Sequence, residues 1–201
     1  MTRFKSLFRA FANDQRGSMA IELVMVVPII VWAMLSTLVY FDAFRNEAMS
    51  KRAGLTIADM VSREQNTVDP TFINGAYELL RALTNTGTDP DMRITVYSYD
   101  DPSQTYRVEW SEPKGSMIRL TTADLANLKA AGRLPILAHD DRAILVETNT
   151  YYSAPFSVGL GPFASIDLDD VTFRTFTVIR PRFTPTVCFD QDLSSPGGEF
   201  C

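Results

Sequence analysis

Gly17-Ser18-Met19-Ala20-Ile21-Glu22-Leu23-Val24-Met25-Val26-Val27-Pro28 sets one carboxylate, Glu22, at the mouth of an apolar run that continues to Phe41 without another charge. At ~1.5 Å per residue, residues 23–41 make a helix of about 28 Å, close to the ~30 Å hydrocarbon core of a bilayer. A carboxylate at the start of a membrane helix is costly and marks function by default. The alternative is a side chain at the bilayer edge reaching out to water. Glu22 becomes the fifth residue of a mature chain if the backbone is cut after Gly17, and the new amino group on Ser18 then supplies a charge partner between neighbouring subunits.

The residues before the run carry Arg3, Lys5, Arg9 and Arg16 against Asp14, a net +3, so the formal −5 of the chain leaves −8 beyond Gly17. Mixed signs follow the run at Asp42, Arg45 and Glu47. Positive-inside bias therefore puts the N-terminus in the cytoplasm and the bulk of the chain outside. A cleavable signal peptide has a shorter apolar core and a small-residue site after it, and Phe41-Asp42-Ala43-Phe44 is no such site. Tyr40 is placed as an interfacial anchor, and Trp32 falls mid-span. Pro28 removes a backbone donor, which either kinks the helix for assembly or is simply tolerated. The acidic remainder argues against a nucleic-acid partner.

The 201-residue length allows one membrane segment and one modest extracytoplasmic domain. Phe41, Phe44, Ala48, Leu55, Ala58 and Val61 keep helical spacing past the run, so residues 18–65 read as one long helix. Asp69-Pro70 reads as N-cap and first helical residue of a second helix with an apolar face of Phe72, Ala76, Leu79, Leu80 and Leu83. Met92, Ile94 and Val96 alternate with polar neighbours, as do Tyr106, Val108 and Trp110 after the turn at 100–103, which predicts a β-hairpin. Thr121-Thr122-Ala123-Asp124 resembles a capping box, with Leu125 and Leu128 following and Gly132 as a stop. Residues 143–152 and 171–180 read as two more strands. In the last, Phe173 and Phe176 break the period of two, and a bulge between them restores one buried face. The order predicts an α+β head, residues 66–201, with a small antiparallel sheet packed on helices.

Chemistry-bearing motifs are sparse. His139 is the only histidine, and Asp140 and Asp141 beside it in sequence do not make a catalytic set, which requires a carboxylate reaching the imidazole in space. Gly159-Leu160-Gly161-Pro162 lacks the lysine of a phosphate loop and reads as a turn. Asp167, Asp169 and Asp170 lack the glycine and glutamate positions of a calcium loop, so a solvated strand-entry loop is expected. No Cys/His spacing suggests a metal, and no cofactor is implied. Cys188 and Cys201 are the only cysteines. In an oxidising extracytoplasmic compartment they are expected to close a short loop through Pro196-Gly197-Gly198, the alternative being two free thiols.

Residues 14–28 carry a motif, Arg16-Gly17-Ser18 with Ala20, Glu22 and Pro28, that resembles the N-terminus of the TadE/TadG-like family, minor pseudopilins of the Tad (Flp) tight-adherence pilus. The likeness is confined to roughly the first forty-five residues. It departs at Leu23, where TadE-type members often have tyrosine. The resemblance implies cleavage between Gly17 and Ser18 by a prepilin peptidase and insertion of the apolar helix among other pilus subunits, with Glu22 guiding assembly. It also implies a bacterial inner-membrane protein with a periplasmic head and no enzymatic activity. The rival readings are a signal-anchored extracytoplasmic binding or sensor module, in which Glu22 is incidental, and a membrane-tethered hydrolase, against which the lone histidine counts.

Overall fold

A computed structural model describes residues 18–84, 87–155, 170–191 and 199–201. Helix α1 occupies Ser18–Ser62 and continues through Pro28, about 67 Å of rod at ~1.5 Å per residue. It ends at Ser62, three residues short of the expected boundary, where Arg63 and Glu64 amides close a last turn onto carbonyls of Asp59, Met60 and Val61. Its C-terminal half buries a face of small and branched residues, Ser50, Ala53, Ile57, Ala58 and Val61.

Helix α2, Pro70–Thr84, starts as its sequence predicts: Asp69 Oδ1 accepts the Phe72 amide at 2.6 Å, satisfying one orphan N–H of the first turn. Its buried stripe is Ile73, Ala76, Leu80 and Thr84. At 3.6 residues per turn this stripe centres near Leu80 and leaves Leu83 on the flank, 36% exposed. Leu83 therefore does not belong to the core face, and Ile73 does.

Four strands, β1 (Asp91–Asp100), β2 (Thr105–Lys114), β3 (Arg142–Ser153) and β4 (Asp170–Ile179), form one antiparallel sheet in the order β2-β1-β3-β4. Helix α3, Thr122–Ala130, lies between β2 and β3 in sequence. Its Thr121/Asp124 capping box forms in both directions, and Gly132 at φ 66° follows its C-terminus. The architecture is the expected α+β arrangement, but the sheet is covered on both faces. One core cluster joins α1 and α2 to Met92, Ile94, Val96, Ile144 and Val146. A second, under α3 and residues 134–137, gathers Tyr97, Tyr99, Tyr106, Leu125 and Leu145.

The sheet holds a bulge where none was expected and none where one was. Val96 pairs with Trp110 and Tyr97 with Val108, so Glu109 is the extra residue in β2. That insertion reverses the side-chain alternation. Tyr106 and Val108 stay with the second cluster, whereas Trp110 turns into the first, donates Nε1–H to the Val187 carbonyl at 2.7 Å and stacks on Phe189. The common face predicted for Tyr106, Val108 and Trp110 is thus corrected. In β4 the pairing with β3 is unbroken from Asp170 to Ile179. Phe173 and Phe176 simply serve opposite faces, Phe173 beside Tyr152 and Phe176 beneath Arg133. A sheet buried on both sides needs no bulge to place both rings.

Two short strands, β5 (Phe189–Asp190) and β6 (Glu199–Phe200), pair at the C-terminal end. Cys188 and Cys201 are disulfide-bonded there, with Cα atoms 4.6 Å apart. Val68 bridges to Phe189, so the bonded segment is stitched to the link between α1 and α2.

Candidate functional site at the N-terminal helix

From Ala20 to Leu35 every residue of α1 is exposed around the whole helix. Ile21, Leu23, Val24 and Met25 are each more than 60% accessible. A helical stretch that is apolar on all sides belongs inside a larger protein or a membrane, and this helix is long and apolar enough to cross one. Glu22 sits within it, exposed, with no hydrogen bond or ion pair to another described residue. Ser18 opens the helix, and Gly17 lies outside the described residues. The proposed Gly17-Ser18 junction and the Ser18 amine are therefore not visible beside Glu22.

The uncharged apolar run, residues 23–41, is divided by the head. Ser36, Val39 and Ala43 are buried, while Leu38, Phe41 and Phe44 on the other side remain exposed. The end of the β3–β4 hairpin makes this contact. Tyr152 Oη donates to Asp42 Oδ2 at 3.1 Å and approaches the Val39 carbonyl at 3.5 Å, and its ring lies against Phe173. Further along, Thr150 Oγ1 donates to Ser50 Oγ at 2.8 Å, both buried. Burial first, then the hydrogen bond to Asp42, pushes the Tyr152 hydroxyl up to about 12, so it stays a protonated donor at neutral pH.

The fully exposed segment, residues 20–35, is thus about 24 Å long, somewhat less than a ~30 Å hydrocarbon core. Tyr40, Phe41 and Phe44 cluster on α1 where the head begins, at the level an aromatic interfacial belt would occupy. None of the head-docking partners was legible beforehand. Tyr152 and Asp42 are 110 residues apart, and an aromatic residue in a β-rich segment carries no signal of a helix partner.

His139 lies where a loop was expected, half exposed, with Nδ1 accepting the Asp101 amide at 3.2 Å. Ser103 Oγ donates to Asp100 rather than to the imidazole. The carboxylate therefore stands between hydroxyl and imidazole, the reverse of a nucleophile–base–orienter order. Among the described residues no group of three His, Cys, Asp or Glu side chains could hold a metal ion. Gly159, Gly161, Asp167 and Asp169 lie outside the described residues, and Asp170 begins β4.

No family model matches this chain, and neither curated proteins nor solved structures give a significant match.

Proposed function

We propose that the chain is a single-pass pilus-assembly protein of the TadE/TadG-like kind, a minor pilin or pseudopilin whose helix α1 packs among other subunits of a Tad-type pilus used for surface adhesion. The observation that carries this reading is segment 20–35 of α1, apolar and exposed on all sides, with one carboxylate, Glu22, near its start that meets no hydrogen-bond or ion-pair partner among the described residues. A helix of that kind leaves its head and needs lipid or other helices around it. The basic leader supports an N-terminus in the cytoplasm and a periplasmic head. The disulfide between Cys188 and Cys201 supports the oxidising side of the membrane for the head. In this reading a prepilin peptidase cuts between Gly17 and Ser18, Glu22 meets the amine of a neighbouring subunit, and the head performs no reaction.

Mass spectrometry of pili sheared from cells making this protein, with and without prepilin peptidase, tests both steps together. The expected result is a peptide beginning at Ser18 in the fibre fraction only when the peptidase is present. An uncut chain that never leaves the membrane fraction would instead favour a signal-anchored binding module.

A further inference from the structure

The sheet face turned away from α1 carries a cleft of about 530 Å³, inside the ~300–1,000 Å³ range of small-molecule sites. Strand register builds its floor. Arg93, Glu147 and Phe176 pair across β1, β3 and β4 in one row, and Asn149 pairs with Arg174 in the next. Arg133, from the turn after α3, closes one side and lays its guanidinium 4.1 Å from the Phe176 ring centroid.

The three arginines differ in what they already hold. Arg93 is committed: Nε and Nη2 donate to Glu147 Oε2 at 2.8 and 2.5 Å, and Nη1 donates to the Ile118 carbonyl at 2.8 Å. Both side chains of that pair are about 15% exposed, so the floor is fixed and charge-balanced. Arg133 and Arg174 form no ion pair with any described residue. Asp91, in the row of Asn149, is not among the residues that line the cleft, and its carboxylate is taken up by Ser116 and Tyr151. Burial works to raise its pKa, but hydrogen bonds from Ser116, Tyr151 and Asn149 outweigh that and hold it below the ordinary carboxylate value. Three arginines therefore line the cleft against one glutamate, an excess of positive charge within a chain of formal net charge −5. Stacking on Phe176 pre-orders the Arg133 fork, which reduces the entropy lost on binding.

We propose that this cleft binds a small anionic molecule through a carboxylate or phosphate group held by Arg133 and Arg174, with the Arg93–Glu147 pair as its rigid floor. Guanidinium forks match both oxyanions with paired N–H donors. The proposal stands independently of whether α1 assembles into a fibre.

Isothermal titration of the full chain in detergent micelles, with inorganic phosphate, citrate and glucuronate and with glucose as the uncharged control, tests it. The expected result is saturable binding of at least one anion and none of glucose. Phosphate alone assigns the phosphate class, and citrate or glucuronate alone the carboxylate class. The affinity is expected to fall with added sodium chloride and by roughly tenfold or more in Arg133→Gln/Arg174→Gln, each lost charge-assisted contact being large on this scale. Both positions are exposed, and an unchanged unfolding midpoint would show that the variant folds. No saturable binding of any of the three anions, equal binding of glucose and glucuronate, or full affinity in the double variant each overturns the proposal.

Discussion

Gly54 shows how narrow the tolerance is at a single position. A Cβ built there lies 2.8 Å from Thr175 Oγ1 and 3.4 Å from Thr175 Cβ, where α1 rests on β4. The Thr175 hydroxyl is itself hydrogen-bonded to that of Thr148, so it cannot turn aside without leaving a buried partner unmet. Alanine gains about 1 kcal/mol of helix propensity over glycine, but overpacking a tight contact costs about 1–3 kcal/mol. Gly54→Ala is therefore expected to lower the urea unfolding midpoint, and less so in a Thr175→Ala background, as a double-mutant cycle would report. An equal loss in both backgrounds would remove Thr175 as the cause. Glu22 makes the opposite kind of prediction, because its carboxylate forms no hydrogen bond or ion pair with another described residue. Glu22→Ala should leave the unfolding midpoint of the head unchanged while reducing surface pili counted by electron microscopy. Normal piliation in that variant contradicts the assembly role proposed for the carboxylate.

Among the elements, α1 has two jobs along one axis. Residues 50–61 bury one face in the core, and residues 20–35 are exposed on every side. The stretch between them is pinned by Tyr152 to Asp42 and by Thr150 to Ser50. A hydrogen bond to a charged group is worth about 1.5–3 kcal/mol. Tyr152→Phe should thus speed amide hydrogen exchange in residues 39–46 of α1 while leaving β1 protected. Unaltered exchange there would mean that packing of the ring, not its hydroxyl, holds the helix. In the sheet, the Glu109 bulge decides which side of β2 receives Trp110. A residue deleted at that point would return Trp110 to the face of Tyr106 and leave the Val187 carbonyl without its donor.

For the molecule as a whole, the disulfide and the tyrosines set the limits of stability. Cys188 and Cys201 are separated by 13 positions, and chain-entropy reasoning gives such a loop about 3 kcal/mol. Cys188→Ser/Cys201→Ser should lower the unfolding midpoint accordingly, and neither thiol of the unreduced wild type should take up an alkylating agent. Burial first of all raises the hydroxyl pKa of Tyr97, Tyr106 and Tyr152 from the ordinary 10.0, Tyr152 to about 12. Groups bound more tightly to their protons in the folded state stabilise it fully below the unfolded value. That contribution is lost as pH climbs through the window between the two. The urea midpoint should therefore hold steady up to about pH 10 and fall between about pH 10 and pH 12. Tyr97→Phe, which also removes a buried hydroxyl with no hydrogen-bond partner among the described residues, should blunt the fall.

What could be read from the chain alone follows from local physics. An uncharged apolar run, a proline after an aspartate, a Thr-to-Asp capping spacing and a polar turn each act within a few residues, and α1, the starts of α2 and α3, and the β1–β2 hairpin all stand where those signals put them. The cysteine pair was legible because there were only two to join. What the tertiary structure decided is where distant segments meet. The Glu109 bulge depends on the core needing Trp110 over Phe189. The division of the apolar run at Ser36 depends on the β3–β4 hairpin reaching α1. The arginine-lined cleft depends on the register of three strands and a turn after α3. Pairing register and helix-to-sheet docking are set by contacts far apart in sequence, and a pattern with a period of two or 3.6 residues carries no information about them.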